Sequence, residues 1–278
     1  MALSLSANQL EIDRENGAFW NELCGSATAR ALGIVDRSPA SIETFDRWYF
    51  DFYPYLRTYI PFDRLADQSV LEVGLGYGTI ATALMASGVR YHGLDIAAGP
   101  VEMVGYRAGL LSDIADLRQG SVLDCPFDDA TFDHVVSIGC LHHTGDLARA
   151  IDEVHRVLKP GGGATLMVYN ALSYRQWLTR LLATACLALG FGDEACSVVH
   201  IRENRPLDVN QDGDGAPETA FVTRRQLRDL CTKFESIDIR REHIHAEYLF
   251  KRIPRRLALR IFGPWVGLNL YCRLGKAL

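Results

Sequence analysis

Paired cysteine motifs are missing from this 278-residue sequence. Its seven cysteines, at 24, 125, 140, 186, 196, 231 and 272, never fall into a C-x-x-C spacing. That argues against a zinc knuckle and a secreted disulfide framework, and makes a reduced, cytoplasmic setting the expectation. No apolar run is long enough to cross a bilayer. The stretch Leu181 to Phe191 falls well short of the roughly 20 residues a span requires. The first sixteen residues lack a basic n-region and carry acids early, so no signal peptide is expected. Internal repeats and low-complexity tracts are absent too.

Acidic residues are missing from Lys251 to Leu278, which holds seven basic ones. The whole chain has a formal net charge of −5, so the body before this stretch is distinctly acidic. An acidic body repels phosphates, and no nucleic-acid partner is expected. The stretch from Arg255 through Trp265 to Tyr271 is basic and amphipathic, and two readings of it stay open. It either touches an anionic membrane surface at 252–278, or packs against the acidic body or a second copy in a homodimer.

What is present is a core-forming composition, 48% hydrophobic and 23% charged, sufficient to fold without staples. Residues 1–68 are polar and then aromatic-rich, and read as an N-terminal helical cap. From Ser69 the pattern becomes strand-length apolar runs alternating with helical periods. Strands are predicted at 69–73, 90–96, 133–138 and 164–169, and helices at 79–87, 146–158 and 174–189. The break Lys159-Pro160-Gly161-Gly162-Gly163 predicts a helix stop and a turn into a strand. Such alternation implies an α/β fold with a parallel sheet covered on both faces. Beyond Leu189 the signal weakens. A lid or insertion is expected around 190–220, a short helix at 223–231, and closing strands at 236–241 and 244–250. The α/β domain therefore runs 69–250, with 251–278 as a tail.

The chemistry centres on Glu72-Val73-Gly74-Leu75-Gly76-Tyr77-Gly78. A strand enters a turn rich in glycine, where tight geometry and close ligand approach leave no room for a Cβ. Nicotinamide dinucleotides, nucleoside triphosphates and S-adenosylmethionine all use such turns. The G-x-G-x-G spacing differs from the dinucleotide fingerprint, and no Lys-Ser/Thr follows as in a phosphate loop. Glu72 would repel a pyrophosphate but suits an ammonium or a sulfonium. Asp95 closes the next strand, where a carboxylate can accept both ribose hydroxyls.

The ordered run continues through Gln119-Gly120-Ser121-Val122-Leu123-Asp124, Phe132-Asp133, Leu141-His142-His143 and Glu153 to Gly162. Together these motifs resemble the class I S-adenosylmethionine-dependent methyltransferases over Ser69 to Tyr169. Within them the sequence is most similar to the ubiquinone- and menaquinone-biosynthesis-like branch of small-molecule enzymes. The resemblance implies a Rossmann-like, doubly wound, seven-stranded sheet, mostly parallel with one antiparallel strand. It assigns Gly74, Gly76 and Gly78 to the methionine part, Asp95 to the ribose and Ile96 to the adenine. Ser121, Val122 and Gly139 complete the expected cofactor set. Ser121 stands where the family usually has Asp, and Asp124 is the alternative acceptor for the adenine amino group.

Methyl transfer is an in-line displacement, so the protein has to align, exclude water and supply a base for an oxygen or acidic carbon nucleophile. His142 and His143 follow the strand at 133–138, where the methyl group should emerge, and either suits that role. Tyr169, ending the next strand, is a further candidate. The expected product is S-adenosylhomocysteine and the expected acceptor a small molecule, on oxygen before carbon or nitrogen. A non-catalytic cofactor-binding protein is the alternative. Trp48, Tyr49, Tyr53 and Tyr55 either pack the cap or line an acceptor pocket. Asp208 to Gly215 resembles a calcium loop, but Thr219 holds the twelfth position, so it reads as a solvated acidic loop. His243 and His245 read as structural, and no metal is expected.

Overall fold

A computed structural model describes residues 5–22, 26–111, 113–177, 208–210, 213–245 and 252–278. Four helices come first: α1 (Ala7–Phe19), α2 (Ser26–Ala31), α3 (Pro39–Phe52) and α4 (Leu56–Tyr59). Then β1 (Ser69–Val73), α5 (Thr79–Met85), β2 (Arg90–Asp95), α6 (Ala98–Leu111) and β3 (Asp116–Gln119) alternate. They are followed by β4 (Phe132–Ile138), α7 (Leu147–Val157) and β5 (Leu158–Asn170). The remainder is β6 (Phe221–Val222), α8 (Arg224–Leu230), β7 (Ser236–Glu242), α9 (Arg255–Val266) and β8 (Asn269–Gly275).

The sheet order is β3-β2-β1-β4-β5-β8-β7, with β6 pairing separately alongside β5. All pairings are parallel except those of β8, which runs antiparallel to both β5 and β7. The single antiparallel strand matches the expectation, while the count is eight strands instead of seven. The extra one is the two-residue β6, whose Phe221 and Val222 pair with Tyr169 and Asn170 at the end of β5.

Local chemistry explains the central elements. In β1, Val70, Leu71, Glu72 and Val73 are all buried, as expected of a strand covered on both faces. In α7, Leu147, Ala150, Ile151, Val154 and Val157 share one buried stripe, and Asp146 caps the helix by accepting from the Arg149 amide. Burying each such aliphatic side chain contributes about 1.5–3 kcal/mol. Helix α7 ends where predicted, but the Pro-Gly stretch is already strand. It pairs with β4 through a register shift between Phe132 and His134. Lys159 is held there by Asp133 at 2.8 Å.

The closing strand is not 244–250. Residues 244–245 are irregular, 246–250 lie outside the described residues, and the partner of β7 is β8. Leu270, Tyr271, Cys272 and Leu274 are buried, so part of the 251–278 segment lies inside the sheet. The helix predicted at 174–189 is described only at 174–177, and most of the expected lid falls outside the described residues. No described helix is long and apolar enough to cross a membrane.

The cap is tied to the sheet by one buried ion pair. Arg107 of α6, 1% exposed, reaches Asp46 of α3 at 2.9 Å, and Thr79 at the start of α5 donates to the same carboxylate. Trp48 and Tyr49 pack in this cap, while Tyr55 and Tyr271 meet edge to face at 5.3 Å.

Candidate functional site

Strand order reverses between β1 and β4, since β1 leads to β2 on one side and β4 to β5 on the other. Ligands of open α/β sheets sit at such a switch point, outside the strand C-termini. A cleft opens there, lined from β1 and its turn by Val73, Gly74 and Gly76, and from β2 and the residue after it by Leu94, Asp95 and Ile96. The turn after β4 approaches closely. A Cβ on Gly74, whose φ is +82°, would stand 2.4 Å from the Cβ of Cys140, so the close approach of these two turns admits only glycine there.

Asp95 is 8% exposed and faces the cleft. Its carboxylate accepts from the amides of Leu75 at 2.7 Å and Ala97 at 2.9 Å, which fixes its orientation. Burial pushes its carboxyl up to about 6, with the backbone amides of Ala97, Leu75, Gly76 and Ile96 pulling the other way.

Of the other expected cofactor residues, Ser121, Val122 and Gly139 line the cleft, whereas Gly78 and Glu72 do not. Gly78 caps α5 beneath the turn. Glu72 lies inside the sheet, 2% exposed, accepting a 2.6 Å hydrogen bond from the Tyr91 hydroxyl. Burial pushes its carboxyl up to about 8, against the opposing hydrogen bond from Tyr91. The Ser121 hydroxyl oxygen accepts from the Leu123 amide at 3.3 Å, and Asp124 is exposed and outside the lining.

The two histidines part company. His142 is 1% exposed, its ring tilted against that of Tyr169 with centroids 4.1 Å apart, and neither of its nitrogens has a hydrogen-bond partner among the described residues. Burial, and then the neighbouring His143, hold it well below the usual histidine range. His143 lines the cleft. Its Nδ1 lies 2.6 Å from the Glu218 carbonyl oxygen, and a carbonyl only accepts, so Nδ1 carries the proton. That leaves Nε2 buried without a hydrogen bond, 3.5 Å from a carboxylate oxygen of Asp208. Tyr169 lies outside the lining and donates its hydroxyl to the same Asp208 oxygen at 2.8 Å. Burial and the Asp208 charge hold that phenol well above its ordinary value.

The residues that sequence reasoning missed come from α1 and the residues just after it. Asp13, Asn16 and Trp20 line the cleft. Asn16 donates to the His143 carbonyl at 2.7 Å, Gln9 donates to that of Thr144 at 2.8 Å, and Asn21 accepts from the Gly99 amide at 2.8 Å. The helix is thereby strapped between the turn after β4 and the start of α6. The Trp20 ring lies 5.0 Å from that of His143. Asn16 is 3% exposed, and its Oδ1 has no partner among the described residues. Asp208 was likewise missed as a site residue. Among the described residues no group of acidic, histidine or cysteine side chains could hold a metal.

Residues 71–166 match the family described as methyltransferase domain. A demethylmenaquinone methyltransferase of Clavibacter sepedonicus is 36% identical over 106 residues, 38% of this chain and 43% of that protein. Phosphoethanolamine N-methyltransferase 2 of Caenorhabditis elegans is 30% identical over 108 residues, 37% of this chain and 24% of that protein. The chain thus spans less than half the length of these relatives. Among solved structures, a SAM-dependent methyltransferase of Methanosarcina mazei shares the fold, with a TM-score of 0.54 at 18% identity, over 81% of this chain and 98% of that one. Residues 71–166 thus match a methyltransferase domain, and over this region the chain is similar to demethylmenaquinone methyltransferases.

Proposed function

We propose that the chain transfers a methyl group from S-adenosylmethionine to a phenol- or enol-type small molecule, with His143 taking the acceptor's proton. One observation carries the reading. His143 stands on the wall of a cleft suited to the donor, its Nδ1 proton held by the Glu218 carbonyl and its buried Nε2 free of a hydrogen bond among the described residues.

The cleft's chemistry fits the donor. Asp95 offers a fixed carboxylate for the two ribose hydroxyls, and Leu94, Ile96, Pro100 and Val122 form an apolar slot for a flat base. Gly74 and Gly76 let the methionine part approach the backbone. The unpartnered Asn16 Oδ1 supplies an acceptor for an amino group that Ser121, occupied by Leu123, serves less well. S-adenosylmethionine, when bound, supplies a methyl group already activated by the adjacent sulfonium.

His143 would then accept the acceptor's proton at Nε2, with Asp208 placed 3.5 Å away to balance the charge. Tyr169 holds Asp208, and the Trp20 ring lies against His143. Deprotonating a phenol or enol makes both its oxygen and its adjacent carbon nucleophilic, so one base serves both outcomes. Oxygen was the expectation from sequence. The relatives named for demethylmenaquinone favour carbon, and we adopt carbon as the leading assignment.

Incubation with S-adenosylmethionine and a 1,4-dihydroxynaphthalene, followed by mass spectrometry and NMR, tests this. S-adenosylhomocysteine and a ring-methylated product are expected. An O-methylated product would overturn the carbon assignment. Failure to bind the donor by calorimetry would overturn the whole reading.

A further inference from the structure

Helix α9 has one face committed to the core and another that is bare. Ala258, Leu259 and Gly263 are buried, and Tyr174, Ile244 and Leu268 pack with Ala258 and Leu259 in one cluster. Leu257, Ile261 and Trp265, four residues apart, form a continuous outer ridge, 46%, 48% and 75% exposed. Arg256 and Arg260 are exposed alongside it and have no ion pair among the described residues. No acid interrupts the segment from 251 to 278.

The ridge is placed at the site's own edge of the sheet. β7 ends at Glu242, opposite Asn269 where β8 begins, and Asn269 pairs in turn with Tyr169 near the end of β5. Helix α9 bridges Glu242 and Asn269, on the same strand edge where the cleft opens. Close by in sequence to Tyr174, which packs on α9, Trp177 is 60% exposed.

We infer that α9 docks this edge of the protein onto an anionic lipid bilayer. Exposed aliphatic side chains and a tryptophan beside arginines match the interfacial region, where the ring sits at headgroup depth and guanidinium groups meet lipid phosphates. A protein partner without an acidic patch would gain from the apolar ridge alone. The flanking, acid-free arginines select a surface of dense negative charge. Docking there turns the cleft's edge toward the membrane, which suits an acceptor drawn from the lipid phase.

Co-sedimentation of the full chain with vesicles of phosphatidylcholine, with and without phosphatidylglycerol, tests the inference without donor or acceptor, so it stands apart from the methyl-transfer reading. Binding is expected only to the phosphatidylglycerol vesicles and should fall with added salt. Arg256→Gln with Arg260→Gln should weaken it on the order of tenfold. Ile261→Glu with Trp265→Glu should abolish it, with unaltered circular dichroism showing that the fold persists; if that pair unfolds, the arginine pair still decides. Absence of binding to anionic vesicles, or equal binding by all variants, would overturn the inference. So would a concentration-dependent dimer in sedimentation velocity that Ile261→Glu dissolves, which would assign the ridge to a second copy.

Discussion

The Asn16 side-chain amide donates to the main-chain oxygen of His143 at 2.7 Å, across 127 positions of sequence. The polar N-terminal helix and the turn bearing the proposed base are thus one unit. Replacing Asn16 by Ala removes that bond and the spare Oδ1 acceptor together. It should weaken donor binding by about 1–3 kcal/mol, the scale of a lost buried hydrogen bond, as calorimetry would register. Wild-type affinity in Asn16→Ala would remove α1 from the site.

His142 and His143 should separate cleanly on mutation. His143→Ala is expected to lower turnover about 10²-fold or more while leaving donor affinity nearly unchanged. His142→Ala should act on stability instead, costing roughly 1–3 kcal/mol through the cavity beside Tyr169. Equal loss of kcat in both variants, at equal stability, would contradict the division.

Asp95 links binding to pH. Its carboxyl sits at about 6, and the ionised form is the one that accepts hydroxyl donors. Donor affinity should therefore fall as pH drops through 6, and Asp95→Asn should lose about 1.5–3 kcal/mol of binding together with most of that dependence. Titrations showing constant wild-type affinity from about pH 8 to about pH 5 would refute the ribose assignment.

Glu72 makes a stability claim of its own. Its folded value, about 8, lies above the ordinary 4.5. Between those values the folded chain keeps a proton that the unfolded chain has released. From this group alone, stability falls as pH rises across that window and levels off above it. Glu72→Gln should flatten that slope in urea unfolding. An identical pH profile in the two proteins would show that Glu72 is already ionised when buried.

Gly74→Ala places a methyl group 2.4 Å from the Cys140 Cβ at a φ of +82°, and should cost about 1–3 kcal/mol. Gly88 shares a positive φ, +75°, with nothing within 4 Å. Gly88→Ala therefore reports the backbone strain alone, and a smaller loss there isolates the crowding at Cys140.

The sequence by itself determined β1, α5, β2, β4, α7 and the second half of β5, because their signals are local, whereas α6 and β3 between β2 and β4 went unpredicted. Apolar alternation, helix periods, the glycine turn and a carboxylate at a strand end each lie within a few neighbouring residues. Ile96, Ser121, Val122 and Gly139, expected from family resemblance, line the same cleft. Where the cues were not local, only the tertiary structure decided. Helix α1 buries just Asn16, so it has no apolar stripe to announce that it covers the cleft. Asp208 looked like one carboxylate of a solvated loop until folding brought it to Tyr169 and His143. Strand β8 sits in a basic segment, and its place between β5 and β7 follows from pairing with both at once. Two adjacent histidines are alike as sequence. Burial against Tyr169 for one, and a carbonyl holding Nδ1 for the other, are facts of packing between distant segments.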